Sequence, residues 1–223
     1  MSKPHYFRKH DPVCVKSMMA KGYCPSIDIA EIAEFITNVE EQRYRDDKFL
    51  SKEDEEYIKG KRKSAKPVNY GGIYGQGAEG LDRETGMGIR AATKLTNIYR
   101  QRNWAVNAVA DEQITKVCRR QKWLYNPVSK LWYSLRAEKD RFSTLNQGTG
   151  VWCFDTWVRH VRSKGLPLIG QFHDEIVGLL KEEHKEKAKK VLRWAIDETN
   201  RELKLDRELD ISVDFGINYS EIH

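Results

Sequence analysis

Apolar positions along the chain change period several times, and each change marks an element. Residues 11–22 and 28–36 carry apolar side chains at helical spacing, with Ser26 or Asp28 as caps for the second helix. Residues 46–56 (DDKFLSKEDEE) are acidic and read as a solvated turn leading into a helix. Leu95, Ile98, Tyr99, Val106, Val109, Ile114 and Val117 follow a helical period, which predicts helix over residues 89–121. Trp123-Leu124-Tyr125 and Leu131-Trp132-Tyr133 flank Asn126-Pro127-Val128-Ser129, a hairpin pattern. Residues 149–163 return to helix. Two short apolar runs, 166–172 and 176–180, then surround the charged tip His173-Asp174-Glu175. Ala188, Val191, Leu192, Ala195 and Ile196 lie on one helical face, and a last strand is expected over 211–215. The predicted class is α+β, mostly helical with a small antiparallel sheet near the C-terminus.

Composition narrows the setting. The 223 residues are 39% hydrophobic, which suits a globular chain of one large domain or two small ones. No apolar run approaches the roughly 20 residues of a membrane-crossing helix, so no membrane partner is expected. The N-terminal residues lack a secretory pattern, and Cys14, Cys24, Cys118 and Cys153 form no CxxC pair or zinc spacing. These features predict reduced thiols and a cytoplasmic location. The formal charge is +6, but from Asp174 onward nine cations face 13 carboxylates, leaving +10 on the preceding residues. A basic body suits an anionic partner such as nucleic acid; a solvated lysine-rich surface is the plainer account.

Three segments carry candidate chemistry. Eight of the 15 glycines fall between Gly60 and Gly88, beside Lys59, Lys61, Arg62, Lys63 and Lys66. On a helix, residues four apart share a slowly turning stripe, so Arg62, Lys66 and Tyr70 present two cations and then a ring. Cations suit phosphate and a flat ring suits a sugar or base. Gly71, Gly72 and Gly75 would let a nucleic-acid strand approach. A basic helix start with a glycine-rich end, or a localisation signal, explains the same residues without a ligand. Gly75-Gln-Gly77-Ala-Glu-Gly80 matches GxGxxG, but a basic helical segment precedes it where a dinucleotide fold needs a strand. The second segment is Gln171-Phe-His173-Asp174-Glu175. Its adjacent carboxylates suit magnesium or manganese, a paired base, or an ordinary exposed turn. The third, Arg141-Phe-Ser143-Thr-Leu-Asn-Gln147-Gly148-Thr149, is polar and basic and unspecific by itself.

In this order, RxxxKxxNYGxxYG, QGT and HDEI resemble the C-terminal half of family A DNA polymerases, the bacterial polymerase I and bacteriophage type. The ending Val213-Asp-Phe-Gly216-Ile-Asn218-Tyr219-Ser-Glu-Ile-His223 is similar to the family's terminal pattern. The resemblance implies a right-hand fold, with residues 1–148 as fingers and 149–223 as distal palm. It implies that Arg62 and Lys66 bind the triphosphate of a deoxynucleotide, and that Lys66 neutralises the leaving pyrophosphate. It places Tyr70 on the sugar and base, Tyr74 and Gly75 at the template, and Gln147 and His173 at the primer–template DNA. Asp174 becomes one carboxylate of a two-metal magnesium or manganese site, with Glu175 a weaker partner.

Departures from the family pattern shape the remaining expectations. Pro67 follows Lys66, so the helix is expected to start near residue 63 or to kink. Ser143 stands where the family usually has Asn. The family's other catalytic Asp lies in a DxSxIExR motif, and the corresponding region near Asp11 does not carry it. Asp28-Ile-Ala-Glu imitates that motif but lacks the Glu directly after Ile, and no Arg follows. The expectation is a split polymerase, inactive alone, whose second polypeptide supplies the thumb and the first catalytic Asp. A phage-encoded chain would work in the host cytoplasm. A non-catalytic nucleic-acid-binding remnant and a metal-dependent nuclease are the alternatives.

Overall fold

The computed structural model describes residues 3–222. The helices α1 (Lys3–Phe7), α2 (Pro12–Met19), α3 (Pro25–Ile32) and α4 (Asn38–Asp46) come first. Thr37 caps α4 reciprocally: its Oγ1 accepts from Glu40 N at 3.3 Å, and Glu40 Oε2 accepts from Thr37 N at 2.6 Å. That backbone donation, ahead of the Thr37 hydroxyl and Arg43, holds the Glu40 carboxyl below its ordinary value. The expected caps on the second predicted helix do not form. Cys24 stands at the N-cap of α3, and Ser26 lies inside the helix.

Helix α5 (Lys52–Ile73) starts well before residue 63 and runs through Pro67. Ser51 Oγ accepts from Asp54 N at 3.2 Å, and Glu53, Asp54 and Glu55 meet the positive end of the helix dipole. Residues 47–51 of the acidic stretch form the expected turn, and residues 52–56 are already the first turn of this long helix. Ile58, Ala65, Val68 and Asn69 are buried, packing with residues of α3, α6 (Ala78–Thr85) and α7 (Ile89–Arg102).

The single helix predicted over 89–121 is three elements. Helix α7 stops at Asn103, whose buried amide donates to Tyr99 O at 3.2 Å from Nδ2 and at 2.8 Å from the backbone. Helix α8 (Ala105–Glu112) follows, and then β1 (Thr115–Cys118). Ile114 and Val117 are 62% and 71% exposed, so their helical spacing does not reflect a buried face.

Strands β1, β2 (Gln121–Tyr125) and β3 (Trp132–Leu135) form an antiparallel sheet in that order. The expected hairpin is its β2–β3 half. Asn126 closes the turn: its Oδ1 accepts from Val128 N and Ser129 N at 2.9 and 3.1 Å, and its Nδ2 donates to Leu145 O at 3.1 Å. The β1–β2 turn consists of Arg119 and Arg120 at φ 51° and 64°. Left-handed backbone costs non-glycine residues about 1–2 kcal/mol each, and such turns ordinarily take Asn-Gly. Leu124, Leu135, Phe142 and Leu145 close a core with α1, α2 and α8.

A half-buried polar node joins distant segments of this unit. Arg102 Nε lies 3.0 Å from Asp28 Oδ2, and its NH2 lies 3.2 Å from Oδ1. Tyr23 OH donates to the same carboxylate at 3.4 Å. Burial opposes the Arg102 charge, but Asp28 and Cys14 outweigh it and hold the guanidinium firmly protonated. Asp28 is thus a structural partner of Arg102.

Helix α9 (Arg141–Ser163) starts earlier than the 149–163 span read from sequence. It is followed by β4 (Leu168–Phe172), β5 (Glu175–Gly178) and α10 (Lys185–Leu203), as the sequence pattern indicates. Trp157, Val158 and Val161 pack against Ala195, Ile196 and Leu209. Asn200 pins the returning chain, accepting from Leu209 N at 2.8 Å and donating to Leu209 O at 2.9 Å. The strand expected over 211–215 is not formed. Ile211, Val213 and Phe215 are half-buried and alternate with exposed Ser212 and Asp214, but no ladder pairs them among the described residues. The described chain divides into two compact units, Lys3–Asn146 and residues 147–222. The class is α+β. Among the described residues no helix is long and apolar enough to cross a membrane.

Candidate active site

The second half of α5 brings five of the candidate residues onto one helix and its C-terminal turn. Lys66 Nζ sits 5.4 Å from the centroid of the Tyr70 ring, and Tyr70 is 51% exposed. This pair offers an accessible cation and an open aromatic face side by side. Arg62 is turned elsewhere, its Nε donating to Cys24 Sγ at 3.3 Å. That hydrogen bond, ahead of the nearby Tyr44 and Tyr70, raises the Arg62 guanidinium above its ordinary value. Among the described residues, Lys61, Lys63 and Lys66 have no carboxylate partner, whereas Lys59 is paired with Glu55. Positive charge is therefore uncompensated along the outer side of this half-helix.

Tyr74 ends α5, 44% exposed, and Gly75 follows at φ 68°, a conformation that suits glycine. The other two glycines have intramolecular reasons. A methyl group on Gly72 would run into the Tyr99 ring, and one on Gly71 would meet the Gln76 side chain. Close approach at these positions is to the protein itself. The GxGxxG match covers the turn from α5 into α6, with Gly77 at the α6 N-cap and a helix in front of it.

Behind the end of α5 is a cleft of about 610 Å³, lined among others by Gly75, Gln76, Tyr99, Arg100 and Lys139. The buried Tyr99 hydroxyl has no hydrogen-bond partner among the described residues. Burial pushes this phenol well above its usual range. Sequence reasoning missed Tyr99 and Arg100, because a tyrosine on the apolar face of α7 reads as core. Ser143, which stands in a usual Asn position, is buried and donates from Oγ to Asp140 O at 3.0 Å.

In the unit of residues 147–222, Gln147 is exposed on α9, while Gly148 and Thr149 are buried. His173 and Asp174 form the two-residue turn between β4 and β5, whose register pairs Phe172 with Glu175. His173 takes φ 48°. Asp174 is exposed and makes no ion pair or hydrogen bond among the described residues. Glu175 is half-buried and accepts from Tyr219 OH at 3.4 Å, while the Tyr219 and Phe172 rings lie 6.1 Å apart. Local desolvation, then the Glu175 carboxylate, raises the Tyr219 phenol. The neighbouring carboxylates thus differ, one open and one engaged by the C-terminal segment.

The donors at this tip are hard oxygens, the chemistry magnesium prefers. Among the described residues, however, no three His, Cys, Asp or Glu side chains gather closely enough to hold a metal. Asp174 and Glu175 suit a divalent ion in kind and fall short in number.

No curated protein matches the chain. A family model described as DNA polymerase family A matches residues 44–221, a span that holds all of α5, the QGT segment and the β4–β5 tip. Family A polymerases are nucleotidyltransferases that bind DNA and deoxynucleotides and generally use divalent metals, and this chain belongs to DNA polymerase family A.

Proposed function

We propose that the chain provides the fingers, residues 1–148, and the distal palm, residues 149–223, of a DNA-directed DNA polymerase. The observation that carries this reading is the exposed Lys66–Tyr70 pair on a half-helix of uncompensated cations, in the register of the family motif. Lys66 binds the triphosphate of the incoming deoxynucleotide and donates a proton or charge to the leaving pyrophosphate. Arg62 exchanges its Cys24 contact for a phosphate oxygen, a stronger charge-assisted partner. Tyr70 packs on the sugar and base, and Tyr74, with Gly75 beside it, meets the template. Gln147 and His173 contact the primer–template.

Asp174 holds a divalent ion through its open carboxylate, and Glu175 supports it from a position shared with Tyr219. Bound magnesium or manganese supplies electrostatic stabilisation of the phosphate oxygens and eases ionisation of the primer 3′-hydroxyl. A two-metal site needs more carboxylate than this tip offers. The remaining carboxylate and the thumb come from outside residues 1–223, for which a separate polypeptide can be supplied in a test, and these residues alone do not polymerise.

Primer extension with magnesium tests these assignments. The purified chain alone should extend nothing, addition of a polypeptide carrying a DxSxIExR motif and a thumb should restore extension, and Asp174→Ala should abolish it. Extension by the single chain would refute the split arrangement. Full activity of the Asp174→Ala complex would point to a non-catalytic DNA-binding remnant. Cleavage of DNA without added nucleotides would point to a nuclease.

A further inference from the structure

The β1–β3 sheet carries chemistry that none of the roles above employs. From Ile114 to Ala137 the sequence holds six cations, Lys116, Arg119, Arg120, Lys122, Lys130 and Arg136, and no carboxylate. The registers pair Lys116 with Trp123 and Tyr125 with Trp132. Cross-strand partners share a face, and successive residues alternate faces. Leu124 and Leu135 point into the core, 0% and 2% exposed, so Lys116, Trp123, Tyr125 and Trp132 lie together on the opposite face. All three rings there are half-buried. Lys116 Nζ sits 3.9 Å from the Trp132 ring centroid, and the Tyr125 and Trp132 rings are 5.2 Å apart.

At one end of this face, exposed Arg119 and Arg120 occupy the left-handed turn. Among the described residues neither has an ion-pair partner, and Lys122, which is paired with Glu138, points to the other face. Two cations are thus held at positions where Asn-Gly would serve the backbone better. Rings spaced along a sheet and flanked by unpaired cations match the needs of a flexible polyanion with flat groups. An acidic peptide would satisfy the cations and leave the ring faces unused.

We propose that this sheet face is a second docking surface, one that binds single-stranded nucleic acid. Bases stack on Trp123, Tyr125 and Trp132, and phosphates lie against Lys116, Arg119 and Arg120. The proposed contacts use none of Arg62, Lys66 and Asp174, and their test does not depend on polymerisation.

Binding of a fluorescein-labelled oligothymidylate to the full chain, followed by anisotropy across a salt series, reads the surface directly. The double variant Arg119→Asn/Arg120→Gly removes both cations and installs the residues this turn favours. Its unfolding midpoint should stay level or rise, while affinity falls and the log–log salt slope becomes shallower by about 1.4. Trp132→Ala should weaken oligothymidylate binding about fivefold or more. Trp132→Phe, which keeps a ring, should recover most of that loss. Unchanged affinity and slope in the double variant would overturn the proposal, even if Trp132→Ala proved too unstable to assay. Polyglutamate competing as well as oligothymidylate, with Trp132→Phe no better than Trp132→Ala, would overturn it in favour of an acidic protein segment.

Discussion

The second half of α5 and the β4–β5 hairpin secure their polar residues by opposite means. On α5, Lys66 and Tyr70 face outward because Ala65, Val68 and Asn69 are buried on the other side and Tyr99 presses on Gly72. Their placement is a by-product of core packing. At the hairpin, Asp174 rides on a two-residue turn steadied by a left-handed His173 and the Tyr219–Glu175 contact. Its placement depends on local geometry with little burial beneath it. Changes under α5 should therefore register first as lost stability, and changes at the hairpin tip first as lost chemistry.

The contrast can be broken or sharpened by substitution. Asp174→Asn should reduce extension by the reconstituted polymerase about a thousandfold or more, roughly 4 kcal/mol in the barrier. Its chemical denaturation curve should move by no more than about 0.5 kcal/mol, as for other exposed positions. A large stability loss would erase the distinction. Gly72→Ala should destabilise by about 1–3 kcal/mol through overpacking against Tyr99, read from the urea midpoint. Pairing it with Tyr99→Leu should recover part of that cost, because the obstructing ring is gone.

His173→Gly is a finer test. Glycine relieves the left-handed strain but loosens the unfolded chain, so the unfolding free energy should change by less than about 1 kcal/mol. The smallest effect belongs to Tyr219. Its phenol is raised relative to the unfolded chain, so its contribution to stability is present below the ordinary tyrosine range and fades as pH climbs through the folded value. Spectrophotometric titration should show Tyr219→Phe losing one late-ionising phenol. The difference in stability between wild type and variant should shrink only at strongly alkaline pH.

Much of this arrangement is legible in the sequence where period and chemistry agree. The Lys66 and Tyr70 spacing identifies the outer side of α5, from which Arg62 departs toward Cys24, and the apolar runs around His173-Asp174-Glu175 identify the hairpin. The start of α5 is obscured because Lys-Glu-Asp-Glu-Glu is polar all round, although Ser51 three residues ahead of Asp54 is a cap signal. Helix α4 hides similarly behind its charges, with the Thr37–Glu40 pair as its one clear mark. The apolar period across Arg102 continues into α8, so only Asn103, bonding back to Tyr99, reveals the break. Arg119 and Arg120 conceal a hairpin because they are the wrong residues for its turn. The role of Gly72 is invisible without knowing that Tyr99 lies opposite. Residues 211–215 alternate correctly for a strand, but alternation records only a half-buried face and needs a neighbouring ladder to become one.

Pro67 gives α5 an uneven clock. Lacking an N–H, it leaves the Lys63 carbonyl without its helical donor, between the turn of Arg62 and the turn of Tyr70. Opening of the helix need not travel through an intact ladder at that point. In hydrogen–deuterium exchange the amides ahead of Pro67 should form one protected block. Val68 to Ile73 should form another, exchanging at a rate set by their own contact with α7. Tyr70 and Tyr74 would then answer to the Tyr99 side of the fold while Arg62 answers to Cys24, so one continuous helix would keep two separate times.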